Sequence, residues 1–132
     1  MKRESGMKVK ILIVDDEKNI VSALKMSLES DDYEVIEAYT GDGAIRKAHS
    51  EAPDLILLDI MLPDLTGYEI CNMIKKDPLT RSIPIIMLTG LGETGRIAGL
   101  ELGADEYITK PFDLNELKAK IHTLLRNIFP HP

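Results

Sequence analysis

The chain has 132 residues, enough for one domain with a core of its own, and its 44% hydrophobic and 29% charged residues are those of a globular protein rather than a disordered one. A net charge of −6 argues against direct binding of nucleic acid, whose phosphates reward basic surfaces. The single cysteine, Cys71, excludes an internal disulfide and suits a reducing cytoplasm, and no apolar run approaches the ~20 residues that cross a bilayer.

Residues 1–7 are mostly polar, with no stretch that reads as a signal peptide, and form an expected N-terminal tail. The first strand-like run, residues 9–14, is almost unbroken Val, Ile and Leu and ends on Asp15-Asp16. Ile20, Val21, Leu24 and Leu28 then make a helical stripe. The run at 33–38 carries Glu34 and Glu37, which suits an edge strand, and Ala44, Ile45 and Ala48 mark the next helix. Residues 55–58 run into Asp59, and Thr66-Gly67-Tyr68-Glu69 has capping-box spacing ahead of Ile70, Met73 and Ile74. Residues 85–88 run into Thr89; Ile97, Ala98, Leu100 and Leu102 predict a short fourth helix that Gly103 can close. Residues 107–109 run into Lys110. Asp113-Leu114-Asn115-Glu116 then opens a last helix with Leu114, Leu117, Ile121, Leu124, Leu125 and Ile128 on its apolar side, stopped by Pro130. The domain is expected over 8–127, with 128–132 as a C-terminal tail. Nearly continuous apolar strands alternating with helices predict a parallel sheet covered on both faces, a doubly wound α/β sandwich.

In such a sheet ligands bind beyond the carboxyl ends of the strands. Asp15, Asp16, Asp59, Thr89 and Lys110 all stand at strand ends and would share one rim. Clustered carboxylates repel one another unless a cation neutralises them, and oxygen-only ligands favour a hard ion such as Mg²⁺, which also accepts a phosphate oxygen. Lys110 and Thr89 would face the far side of an anion on that metal. A carboxylate can accept a phosphoryl group as an acyl phosphate. Asp59 stands alone at the end of a buried strand, whereas Asp15 and Asp16 form a pair suited to metal, so Asp59 is the expected nucleophile.

These residues resemble the receiver domain of two-component response regulators over roughly residues 8–126. The resemblance is carried by Ile13-Val14-Asp15-Asp16-Glu17, Leu57-Leu58-Asp59-Ile60-Met61-Leu62-Pro63, Asp64-Leu65-Thr66-Gly67, Leu88-Thr89, Gly103-Ala104-Asp105-Glu106-Tyr107 and Thr109-Lys110-Pro111-Phe112. It implies a three-layer (βα)5 sandwich, flavodoxin-like, with a five-stranded sheet in the order 2-1-3-4-5. It implies that Asp59 takes a phosphoryl group from a phosphohistidine on a sensor histidine kinase or histidine phosphotransfer protein. Asp16 and Asp59 would ligate Mg²⁺ directly, Asp15 through water, and Met61 through its backbone carbonyl. Lys110 would pair with phosphoryl oxygens, and its bond to Pro111 would be cis. Thr89 would move to the phosphoryl group and Tyr107 would follow inward, changing the face made by the fourth helix, fifth strand and fifth helix. The implied protein is a cytoplasmic signalling switch that catalyses its own phosphorylation, not a turnover enzyme. It would act on a downstream effector or fused output domain, with no membrane or direct nucleic-acid partner. Leu125 and Ile128 would extend an apolar stripe for a homodimer on the same face.

The segment 89–99 is one residue shorter than the family's usual loop, and Gly90 replaces the common alanine or serine. Met61 and Leu91, two positions beyond Asp59 and Thr89, are apolar and cannot orient an attacking water, so slow hydrolysis of the acyl phosphate is expected. Elsewhere bland readings are expected: Cys71 packing as a small hydrophobe, and His49, His122 and His131, which lack metal-ligand spacing, in solvated positions. Glu51, Lys75, Lys76 and Lys118 read as exposed helix faces. Two rival functions remain. An aspartyl-phosphate hydrolase of the haloacid dehalogenase type needs an acid where Met61 stands and a cap domain for which there is no room. A phosphorylation-independent receiver-like interaction module would be expected to lose part of the acidic site, and none is missing.

Overall fold

The computed structural model describes residues 2–3, 5–90 and 92–129, with the backbone alone at 92–94. Strands and helices alternate: β1 (Lys10–Val14), α1 (Lys18–Ser30), β2 (Glu34–Ala38), α2 (Gly41–Ser50), β3 (Leu55–Asp59), α3 (Gly67–Lys76), β4 (Ile85–Thr89), α4 (Gly92–Glu101), β5 (Glu106–Thr109) and α5 (Leu114–Ile128). The strands form one sheet in the order β2-β1-β3-β4-β5, every pair parallel. Every residue of β3 and β4 is buried, which is why these runs read as continuously apolar. β2 lies at the edge and exposes Glu34, as its mixed sequence predicts.

Alternating side chains of each strand feed two cores. Ile11, Ile13, Leu57 and Leu88 pack with Val21 and Leu28 of α1 and Leu117, Ile121 and Leu125 of α5. Leu12, Leu58, Ile85 and Met87 pack on the other face with Ala44 and Ala48 of α2 and Ile70, Cys71 and Ile74 of α3. Burying each large aliphatic side chain stabilises the fold by about 1.5–3 kcal/mol. No helix among the described residues is long and apolar enough to cross a membrane.

The capping box before α3 is present, Thr66 Oγ1 accepting from Glu69 N at 3.1 Å and Glu69 Oε1 from Thr66 N at 3.3 Å. Asp113 caps α5 by accepting from Asn115 N. That helix runs through Ile128, inside the stretch the sequence reads as a tail, and Pro130 and His131 lie outside the described residues. Leu125 is fully buried, so it extends no surface stripe; Ile128 is exposed. Near the other end, Lys2 bridges Lys8 and Arg3 Nε donates to Asp54 Oδ2 at 2.6 Å, which folds this segment onto the domain.

Several side chains expected on solvated faces have partners. Lys75 Nζ donates to the Ile83 carbonyl at 2.7 Å and pairs with Asp105 at 3.0 Å, tying α3 to the entries of β4 and β5. Lys118 of α5 reaches Asp31 beyond α1 at 2.9 Å, and Glu51 pairs with Lys10 at 3.4 Å. His49 contacts Asp77 at 2.6 Å. Each partner lies far away in sequence, where helical periodicity carries no information.

Candidate functional site

Sheet order decides where the site lies. From β1 the chain crosses to β2 on one side and later returns to β3 on the other, so a crevice opens beyond the ends of β1 and β3. Asp15 and Asp16 follow β1, Asp59 closes β3, Thr89 closes β4 and Lys110 follows β5. The structure brings all five together. Asp15, Asp16 and Asp59 each place an oxygen within 4.8 Å of the others. Lys110 Nζ donates to Asp59 Oδ1 and to Asp15 Oδ2, both at 3.1 Å. Its backbone N–H donates to the Thr89 carbonyl at 2.7 Å, which fixes the lysine to the end of β4. The Lys110–Pro111 peptide is cis.

An open cleft of about 470 Å³ is lined by Asp16, Glu17, Asp59, Met61, Thr89, Gly90 and Lys110. Asp15 and Asp59 are buried beneath it at 1% and 6% exposure, while Asp16 is exposed. Asp15 is oriented by its neighbours: its Oδ1 accepts from Glu17 N at 2.9 Å and its own N–H donates to the Ala38 carbonyl. Burial, and then the charge of Asp15, push the Asp59 carboxyl above its ordinary pKa despite Lys110. Burial opposes the Lys110 ammonium, but its bonds to Asp15 and Asp59 together hold its pKa above the usual value. Three carboxylates against one ammonium leave negative charge concentrated around oxygen donors. That chemistry fits a hard divalent cation, with room in the cleft for an anion beside it.

Thr89 is buried at the floor of the cleft, and Tyr107 is buried at 6% exposure. Tyr107 pairs in register with Met87, and its hydroxyl has no hydrogen-bond partner among the described residues. Inward placement of Tyr107 is therefore a geometry the chain already adopts. α4 comes close here because position 99 is glycine: a Cβ there would lie 2.8 Å from Met87 Sδ. α4 begins at Gly92, earlier than the apolar spacing suggests, so most of the segment 89–99 is helix rather than loop. Gly90 is exposed at the lip of the cleft and Leu91 lies outside the described residues.

Met61 lines the cleft with an exposed side chain. Its loop turns back at once, Met61 bridging Thr66 and Gly67 N donating to the Ile60 carbonyl at 2.7 Å. Three contributors went unassigned in sequence. Glu17 positions Asp15 through its backbone, Gly67 abuts Asp59, and Asp64 ties this loop to α2. Asp64 lies within the Asp64-Leu65-Thr66-Gly67 motif, but no local spacing signals that its partners are in α2, 22 and 23 positions away.

The family model for the response regulator receiver domain matches residues 11–122. The chain is 48% identical over 121 residues to the alkaline phosphatase synthesis transcriptional regulatory protein PhoP of Bacillus subtilis, covering 91% of this chain and 50% of that one. It is 47% identical over 118 residues to the response regulator ArlR of Staphylococcus saprophyticus, covering 89% and 52%. It thus spans about half the length of these curated relatives. Among solved structures, a two-component response regulator from Clostridium difficile is similar at a TM-score of 0.86 and 34% identity, over 92% of this chain and 98% of that one.

Proposed function

Because the chain belongs to the response regulator receiver domain family, we propose that it is a phospho-accepting switch with Asp59 as the acceptor. The observation that carries this reading is Lys110 Nζ at 3.1 Å from both Asp59 and Asp15, beside a three-carboxylate cluster at one cleft.

An Asp59 oxygen attacks the phosphorus of a phosphohistidine on a sensor histidine kinase or histidine phosphotransfer protein. The new O–P bond forms as the P–N bond breaks, and the imidazole nitrogen keeps the electron pair. Asp15, Asp16, Asp59 and the Met61 carbonyl would hold Mg²⁺, which when bound neutralises the carboxylates and the phosphoryl oxygens. Lys110 exchanges its bond to Asp59 for one to the phosphoryl group. Thr89 donates its hydroxyl to the same group from the end of β4. Tyr107, buried beside Met87 and under α4, couples that movement to the α4–β5–α5 face. That face exposes Ile97, Leu100 and Ile128, and is read by an effector, a fused output domain or a second copy. The transcriptional roles printed in the relatives' names would then belong to an output region outside the matched half, since a net charge of −6 does not favour DNA. We place the reaction in the cytoplasm.

Intact mass after incubation with acetyl phosphate tests the reading, with and without Mg²⁺, on wild type and Asp59→Asn. A gain of one phosphoryl group is expected only for wild type with Mg²⁺. Met61 cannot orient water, so the label should persist for minutes or longer after the donor is removed. No gain in folded wild type would sink the switch and favour a phosphorylation-independent interaction module.

A further inference from the structure

Asp64 stands outside the acidic cluster, in the loop between β3 and α3, and the switch described above makes no use of it. Its carboxylate accepts three backbone N–H groups: Oδ1 from Gly41 at 2.7 Å and Leu65 at 3.0 Å, Oδ2 from Asp42 at 2.9 Å. Gly41 and Asp42 open α2, whose own N-cap Thr40 covers Gly43. A side chain from a different loop therefore completes this helix end, where N–H groups have no partner within the helix. The contact is steric as well as polar, for a Cβ at Gly41 would lie 2.8 Å from Leu65 Cβ. The N–H groups of Asp42 and Gly41 hold the Asp64 carboxyl below the usual carboxylate range.

The tether matters because of what else the loop carries. Residues 60–66 leave the end of β3 directly after Asp59 and place Met61 along the cleft. The base of the loop is closed by the Met61–Thr66 bridge, but its apex at Asp64 is anchored to α2. We propose that Asp64 is a positioning residue for the cation site: by capping α2 it fixes the loop that presents the Met61 carbonyl, and so sets the affinity for Mg²⁺. This rests on the reading of the cleft as a Mg²⁺-dependent phosphoryl acceptor.

The test is calorimetric titration of the purified chain with MgCl₂, alongside thermal melts. Asp64→Ala should weaken Mg²⁺ binding about tenfold, the low end of what loss of an outer hydrogen-bonding partner does to a metal site. Gly41→Ala, which keeps the carboxylate but wedges Leu65 away, should weaken it in the same direction. Thr40→Ala removes a cap from the same helix without touching the loop, so it should lower the melting temperature and leave Mg²⁺ affinity unchanged. Wild-type affinity in Asp64→Ala, or an equal loss in Thr40→Ala, overturns the proposal. If Asp64→Ala fails to fold, Asp64→Asn decides: it keeps one acceptor oxygen and should bind Mg²⁺ more weakly than wild type, and wild-type affinity there is again fatal. Wild type that neither binds Mg²⁺ nor takes a phosphoryl group sinks the underlying reading instead.

Discussion

A Cβ added at position 67 would lie 2.5 Å from the Asp59 carbonyl oxygen and 2.8 Å from the Ile60 Cα. Both are backbone atoms with no rotamer to yield, so the end of β3 itself must shift. Glycine lets α3 start hard against that end, and Gly67 N donates to the Ile60 carbonyl across the contact. The absence of a side chain at 67 thus leaves the end of β3, and with it Asp59, where it lies. Gly67→Ala should destabilise the fold by about 1–3 kcal/mol, the range for overpacking a filled site, as read by urea denaturation. It should also slow labelling by acetyl phosphate, because the carboxylate moves with its backbone. A variant as stable and as readily labelled as wild type would show that the contact constrains nothing.

Between elements, the joint of α2 with the end of α3 carries its own pH dependence. His49 Nδ1 lies 2.9 Å from the Ile45 carbonyl and Nε2 lies 2.6 Å from Asp77 Oδ2. Both partners accept, so both bonds form only with the imidazolium. The Ile45 carbonyl, then Asp77, raise the His49 pKa, while Leu79 N–H and His49 lower that of Asp77. A raised folded-state pKa means the contribution is complete below the ordinary histidine value of about 6.5 and is lost as pH rises through the folded-state pKa. On the acid side it is lost as pH falls through the depressed Asp77 value. The melting temperature of wild type minus that of His49→Gln should therefore peak in mild acid and shrink above neutrality; a difference that is flat with pH would remove the imidazolium from the joint. This contact also shows where sequence stops being informative. The strands, their polar ends and the capping box at Thr66 and Glu69 were legible because their signals lie within a few residues. His49–Asp77, Lys75–Asp105 and Asp64–Gly41 join residues 28, 30 and 23 positions apart, where no local spacing links the partners. The start of α4 was hidden for a different reason, since Gly92, Gly95 and Gly99 depress helix propensity and interrupt the apolar stripe. Convergence of Asp15, Asp16, Asp59, Thr89 and Lys110 was visible because parallel topology sends strand ends to one rim whatever lies between. Their unequal burial was not, because it depends on how the loops close over the rim.

For the molecule as a whole, the rim opposes folding in one respect. Burial and the Asp15 charge raise the Asp59 pKa, and Lys110 does not cancel them. A carboxylate with a raised folded-state pKa destabilises the fold once ionised, and the cost is relieved as pH falls through that folded-state value. At neutral pH without divalent cations, Asp59→Asn should therefore melt higher than wild type. An advantage of about 1 kcal/mol would be a few degrees for a chain of this size, and it should fade in acid as Asp59 of the wild type takes up its proton. Mg²⁺ should reverse the ranking. A ligand that binds only the folded state stabilises it by about 2.7 kcal/mol at a hundred times its Kd, and the variant, lacking one carboxylate, should gain less. Melting curves of both proteins in EDTA and across a MgCl₂ series decide the matter. Identical melting in EDTA would mean Lys110 fully offsets the buried charge, and equal gains with Mg²⁺ would place the cation away from Asp59. The expected crossing would tie global stability to the proposed acceptor cluster, the unbalanced charge that destabilises the metal-free fold being the charge a divalent cation would neutralise.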